Sequence, residues 1–504
     1  METWKEGLSE AMAGFDWRWV LALVVITYAI YEQLSFMSKR KYLPGPSFVP
    51  PFVGNVISMV VDPTGFWEQQ ANAAKKVGIS WNALLGKFVL FVRDSELSQK
   101  VFANVRPDAF HLVGHPLGRK LFGEHNLIFM FGEEHKDLRR RLAPLFTLKA
   151  LGVYISIQEK TQREHIAKWL AMAEALRDPI RVRLLCRDMN LETSQNVFVG
   201  PYLTPEMRHA FNEDYNNFNV GLMSLPIYFP GFAFYKATQS VKNLQNTLAK
   251  CASASKERMA TGAEPACLMD FWMVETVREI REAEAAGLPP PPHSSDFEIG
   301  CHLFDFLFAA QDASTSSLVW AIVLTESHPE VLKKLREERA RLREGDIMAT
   351  FTPESLREMK YTEMVVKEVL RYRPPATLVP HIASTDIALT DTYVIPKGTI
   401  VFPSLLESSF QGFTDPYDFD PERFSPERKE DLLYKKNWLL FGAGAHQCLG
   451  QRYAINQLML FTSLFSTLVD FKRARTPGCD DLLYTPTIAP KDEGLMYLSA
   501  RIVA

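Results

Sequence analysis

The chain has 504 residues, 47% of them hydrophobic and 12% aromatic, with a formal net charge of −3. That size can enclose a large core with a buried cofactor, and near-neutrality with abundant apolar residues excludes a disordered chain and a basic nucleic-acid-binding surface. The six cysteines, Cys186, Cys251, Cys267, Cys301, Cys448 and Cys479, lie far apart without a CxxC pair. Reduced thiols on the cytosolic side follow, rather than a disulfide framework.

The first element is an apolar run from Trp19 to Tyr31 without a charged residue. With Trp17 and the stretch from Leu34 to Met37 it approaches the roughly 20 residues that cross a bilayer, although Glu32 and Gln33 interrupt it. No small-x-small cleavage site follows, and the basic trio Lys39-Arg40-Lys41 is expected to stay cytosolic. "LPGP" at 43–46 cannot continue a helix and reads as a stiff joint. The predicted division is therefore a single-pass N-terminal membrane anchor with its basic flank over 1–41 and one catalytic domain over 42–504.

Further along, strand-like text is confined to 78–93, 377–402 and the last stretch of the chain. The segment "LMSLPIYFPGFAFYKA" at 222–237 is apolar but broken by Pro226 and Pro230-Gly231, and reads as a membrane-dipping entrance loop. A charged amphipathic helix over 269–286 precedes the exposed loop "GLPPPPHSS" at 287–295. A helix of roughly 30 residues, capped by Asp296, then runs to His328-Pro329. Helices over 329–344, 360–372 and 450–467 complete a mainly α protein with small β-sheets.

Two segments carry chemistry. "FGAGAHQCLG" at 441–450 brackets Cys448 with glycines just before an apolar helix, which lowers a thiol pKa through backbone N–H groups and the helix dipole. "FLFAAQDASTSSLVWAIVL" at 306–324 places Gln311, Asp312 and several hydroxyls inside an apolar helix. A buried carboxylate there needs either a local hydrogen-bonding partner or a catalytic task.

These segments, with "KEVLR" and "FDPERF" in order between them, resemble the cytochrome P-450 superfamily from "LPGP" to the C-terminus. The resemblance implies the cytochrome P-450 fold and haem b, with Cys448 as its axial thiolate within the loop that starts at Phe441. It implies that Glu368 and Arg371 lock to Arg423. It also places Arg139 and His135 of "GEEHKDLRRR" at positions that hold a haem propionate, with His381 and His446 where relatives carry propionate-binding arginines.

In the superfamily the long helix carries (A/G)-G-x-(D/E)-T-(T/S), whose acid and threonine deliver protons to dioxygen. Here it reads Ala309-Ala310-Gln311-Asp312-Ala313-Ser314, so the acid is kept and the threonine is lost. The small residues are expected to allow a close pass over the haem and a local widening of the helix. Together with "PSLLESSFQGFTDPYDFDPERF" at 403–424, this variant resembles the sterol C-22 desaturase group. Asp312 is then the proton carrier, with Ser314 or ordered water replacing the threonine hydroxyl.

By family position the sterol pocket is lined by Phe110, Leu112, Phe308, Ala309, Leu378, Val379, Thr487 and Ile488. No flavin or NADPH motif is present, so the partners implied are O2, a sterol, NADPH-cytochrome P-450 reductase and cytochrome b5 at an endoplasmic reticulum membrane. Arg428, Lys429, Lys435, Lys436 and Arg452 offer a basic docking face for the reductase. Competing readings are a sterol 14-alpha-demethylase, a lipid hydroxylase, and a haem-thiolate protein that needs no reductase.

Overall fold

The apolar run forms one helix, α1 (Trp17–Arg40), in the computed structural model, which describes residues 17–113, 117–123, 125–343, 346, 348–485 and 487–502. By length and composition α1 can cross a membrane, and from Trp17 to Tyr31 none of its residues is buried in the body. The character changes at Glu32. Its Oε2 accepts the Phe52 N–H at 2.9 Å, Gln33 Nε2 donates to the Val49 carbonyl at 3.0 Å, and one turn on Phe36 packs its ring against Trp81 and Phe88. The polar pair that interrupts the apolar run is the point where the helix joins the body. The expected anchor over 1–41 thus has its last turns inside the core of the catalytic domain.

A five-stranded sheet adjoins α1. It contains β1 (Ile79–Leu84), β2 (Lys87–Val92), β3 (Phe110–Leu112), β4 (His381–Ala383) and β5 (Ile400–Pro403), in the spatial order β1-β2-β5-β4-β3. The β3–β4 register pairs Leu112 with His381, which fixes that histidine beside residues far away in sequence.

The helices that build the site are α2 (Gly132–Leu142), α3 (Leu148–Leu176), α4 (Val182–Phe198), α5 (Pro205–Leu222), α6 (Ala233–Ala260), α7 (Leu268–Ala285), α8 (Asp296–Ser327), α9 (Pro329–Leu342), α10 (Lys360–Tyr372) and α11 (Gln451–Leu468). Ser295, rather than Asp296, caps α8: its hydroxyl accepts the Glu298 N–H, and Asp296 opens the first turn. Pro329 ends the helix, because the residue before a proline avoids the α region. At 32 residues α8 runs about 48 Å at 1.5 Å per residue, and it stays α-helical through the small residues, so the expected widening is absent.

Both main cores depend on α8. Its first half places Leu303, Phe304 and Leu307 among Phe122, Phe218 and Phe234. Its second half places Leu318, Trp320 and Ile322 among Phe461, Leu464 and Val366. Each fully buried large apolar side chain is worth about 1.5–3 kcal/mol, which is why an apolar helix otherwise long enough to cross a membrane sits in the body. Between α5 and α6, residues 223–232 stay outside these cores, with Leu225 75% and Phe229 64% exposed. The proline breaks prevent the apolar side chains there from forming a helix face that the body could cover.

Candidate active site

The cysteine loop is shaped by Gly442 and Gly444, at φ of 70° and 73°, conformations that side chains rarely adopt. A Cβ on Gly444 would also stand 3.0 Å from Ala103 Cα. The Cys448 N–H donates to the Phe441 carbonyl at 2.8 Å, folding the loop back on itself just before α11 begins after its N-cap Gly450. Among the described residues Cys448 is the one exposed cysteine. Its thiol is nevertheless enclosed by protein: burial pushes its pKa up, against a hydrogen bond to the Gly450 backbone and the charge of Arg139. Accessible surface on an enclosed group marks the wall of an internal slot. The lowered thiol pKa expected from the sequence is therefore not a property of the polypeptide alone; a bound metal ion would deprotonate the sulfur outright.

The slot has a second wall on α8. From Ile299 to Thr325 Ala309 is the one exposed residue, and Phe308, Asp312 and Ala313 are half-buried. Leu449, next to the cysteine, shares an apolar cluster with Phe308 and Ala310.

Basic groups from three separate segments close one side. The His135 ring on α2 stacks on His446 of the cysteine loop at 3.9 Å, and Arg139, one turn further along α2, donates to the Gln447 carbonyl at 2.8 Å. His381 Nδ1 bonds the Val379 carbonyl at 2.7 Å, so Nδ1 carries the proton, while its buried Nε2 has no partner among the described residues. Burial lowers all three histidines: His446 to about 3, with His135, Arg139 and His381 adding repulsion, and His135 and His381 each to about 4. Three imidazoles and one guanidinium gathered on one side of the slot are a donor set that suits carboxylates. An exposed thiol, an apolar slot and a basic rim with an orphaned nitrogen fit a haem and its two propionates.

Asp312 borders the slot. Burial raises its pKa, while Arg187 and Arg183 act in the opposite sense. These two arginines, one helical turn apart on α4 in "RVRLLCRD", went unnoticed in the sequence, although i,i+4 spacing puts them on one face. Ser314 does not join Asp312: residues two apart on an unbroken helix point to different sides. From outside the helix a hydroxyl reaches this turn at Thr487, which donates to the Asp312 carbonyl at 3.3 Å.

The expected pocket residues divide. Ala309, Phe308, Leu112, Leu378, Val379 and Thr487 keep accessible surface. Phe110 and Ile488 do not, at 1% and 0% exposure; they are core, and the Ile488 carbonyl is taken by Ser316 and Trp320. Outside the slot, Glu368 binds Arg371 and Arg423 in a fully buried ion cluster. On the expected docking face, Arg428 already pairs with Asp420 and Glu430, and Lys436 with Glu96.

Comparison with known proteins agrees with this site. The cytochrome P-450 family model matches residues 43–478. Cytochrome P-450 710A2 of Arabidopsis thaliana is 55% identical over 484 residues, covering 96% of each chain. The C-22 sterol desaturase ERG5A of Gibberella zeae is 33% identical over 95% of this chain and 90% of its own. Among solved structures, retinoic acid-bound cyanobacterial CYP120A1 shares the fold at a TM-score of 0.75 and 22% identity, covering 91% of this chain and 99% of that one. A thiolate loop, a basic rim and a helix-walled slot in a chain matched over most of its length identify a member of the cytochrome P-450 family, a haem-thiolate oxidoreductase of the monooxygenase type that uses O2 and a redox partner.

Proposed function

We propose that this enzyme is a sterol C-22 desaturase, held in the endoplasmic reticulum membrane by α1 as a single span with its catalytic domain in the cytosol. The observation that carries the reading is end-to-end likeness to fungal relatives named for that activity, at 33% over 500 residues in Gibberella zeae and 31% over 507 in Aspergillus fumigatus. NADPH-cytochrome P-450 reductase supplies electrons, with cytochrome b5 as a second donor. Cys448 binds haem b, and Arg139, His135, His381 and His446 hold its propionates. The bound haem would supply dioxygen reduction and hydrogen abstraction.

The chain's own residues set the outcome. The exposed loop over 223–232 gives a membrane-dissolved sterol an entrance, and Phe308, Ala309 and Leu112 hold its side chain in the apolar slot. Asp312 is the proton carrier. Burial raises its affinity for a proton, and the charges of Arg187 and Arg183 act against that, which favours release. Ala313 offers no hydroxyl and Ser314 points elsewhere, so slot water completes the path. In balance, one hydrogen leaves each of two adjacent carbons, NADPH gives two electrons, and both atoms of O2 end as water.

Full-length enzyme with reductase, NADPH and a C-22-saturated sterol is expected to yield a product lighter by two hydrogens across C-22 and C-23. A hydroxylated or 14-demethylated sterol would overturn the assignment. Asp312→Asn keeps shape but carries no proton, so turnover should fall about 10²–10⁴-fold, the usual contribution of a general acid–base group. Haem content and the sterol-induced spectral change should persist, with peroxide replacing product. Normal turnover in that variant would remove Asp312 from the proton path.

A further inference from the structure

Behind α8, on the side facing α4, three carboxamides lie in the core: Asn190 on α4, Gln311 on α8 and Gln457 on α11, at 0%, 1% and 1% exposure. Amides in an apolar interior are costly unless bonded, and these bond to one another and to the α8 main chain. Asn190 Nδ2 donates to the Gln311 carbonyl at 2.8 Å and to the Ala310 carbonyl at 3.1 Å. Asn190 Oδ1 accepts from Gln457 Nε2 at 2.7 Å, and Gln311 Nε2 returns to the Arg187 carbonyl of α4 at 2.8 Å. The orientation of Asn190 is forced. Carbonyl oxygens only accept, so its NH2 must face α8, and Gln457 must then donate to its oxygen.

The two carbonyls that Asn190 holds belong to the turn bearing Ala309 and Asp312. In an α-helix they already receive the N–H groups of Ser314 and Thr315, and Asn190 donates to them in addition, from outside the helix. Thr315 Oγ1 also donates to the Gln311 carbonyl, at 2.7 Å. From outside the helix, Asn190 thus holds this turn through two carbonyls while its other face borders the slot. Gln457 sits on the helix that starts at the cysteine loop, so the chain Gln457-Asn190-Gln311 links the helix behind the thiolate to the helix above the slot.

We propose that Asn190 is a positioning residue for the oxidation: its carboxamide, oriented by Gln457, sets how far the Ala309–Asp312 turn stands into the slot. The inference rests on membership of the haem-thiolate family, not on the sterol assignment. Its test uses the full-length haem-loaded enzyme with reductase and NADPH. Asn190→Leu, near in volume, removes both donors and the acceptor; Gln457→Leu removes only the bond that orients Asn190. The reduced carbon-monoxide spectrum of a thiolate-ligated haem should be unchanged in both.

Hydrogen exchange at Ser314 and Thr315 should accelerate in Asn190→Leu, and peroxide released per NADPH should rise. Product per NADPH should fall by up to about 10²-fold, the scale on which misplacement of about 1 Å acts. Gln457→Leu should move each readout in the same direction but less. Exchange and peroxide need no identified substrate, so a failed sterol assay leaves this test standing. A haem-loaded Asn190→Leu enzyme with wild-type exchange and peroxide release would overturn the proposal. Loss of haem in both variants would also overturn it, by assigning the cluster to core stability.

Discussion

Two clusters of charged and basic groups differ in how they are satisfied: one is complete within the protein, and the other is suited to a ligand. Around Glu368 every charge has its partner inside the protein. Glu368 takes Arg371 at 2.7 and 2.8 Å, Arg423 at 3.0 Å and the Asp420 N–H at 2.8 Å. The remaining guanidinium hydrogens go to the Glu430 carboxylate and to the carbonyls of Ser409, Thr414, Asp415, Pro416 and Asp418. The rim formed by His135, Arg139, His381 and His446 is the opposite: each histidine resists taking up a proton beside its basic neighbours, and among the described residues His381 Nε2 has no partner. Structural charge closes its own accounts, whereas binding charge is left for something else to complete.

The sharpest way to break the comparison is to open the finished cluster. Glu368→Gln keeps the shape but leaves Arg371 buried without a counter-charge, and removing one partner of a buried pair costs about 3–5 kcal/mol. Against a typical stability of about 5–15 kcal/mol, that should shift the denaturant midpoint strongly and leave little haem-loaded enzyme. A variant with wild-type midpoint and haem content would show that the charge is dispensable.

The rim should respond in the reverse sense, with binding lost and folding kept. Arg139→Met removes the proposed charged donor to a propionate, and hydrogen bonds to charged groups are worth about 1.5–3 kcal/mol, so haem affinity should fall about 10- to 150-fold. His381→Leu removes a ring whose Nε2 must take up a proton before it can donate to a propionate, a cost set against the bond, so the fall should be smaller, about 2- to 13-fold for a net worth of about 0.5–1.5 kcal/mol. Haem titration of the apo-protein measures both, and its denaturant midpoint separates them from Glu368→Gln. Equal damage to folding and to haem binding in all three would erase the distinction.

What could be read from the sequence follows the same division. The Cys448 loop was legible because its glycines and the helix that follows constrain it within one short segment, whereas Glu368 with Arg371, and Arg139, stood out only through the resemblance of their segments to the family's. Arg183 and Arg187 beside Asp312, and Asn190 with Gln457, were not, because their meaning depends on which faces of α4, α8 and α11 meet. Ser314 was misplaced for a related reason. Counting hydroxyls near a motif ignores the 100° step per helical residue, and it was Thr487, from a distant hairpin, that reached the turn. Glu32 looked like a flaw in a membrane span until its backbone partner, Phe52, was in place.

The smallest effect is also the most discriminating, because it compares the rim with itself, empty and filled. Burial holds His381 at about 4, below its ordinary 6.5, with the Val379 carbonyl opposing. Between those values the unfolded chain binds a proton that the folded apo-protein refuses. The stabilising contribution is therefore complete above about pH 6.5 and is lost as pH falls through about 4. His135, also held at about 4, acts in the same direction. A propionate at Nε2 favours the imidazolium, raises the folded pKa and narrows that window. Urea midpoints of apo and haem-loaded protein should accordingly diverge on acidification from neutral pH towards pH 4, the apo form losing stability faster, and His381→Leu should shrink the divergence. Parallel losses in the two forms would mean that no carboxylate reaches His381, and that its buried nitrogen is left unpaired in the working enzyme.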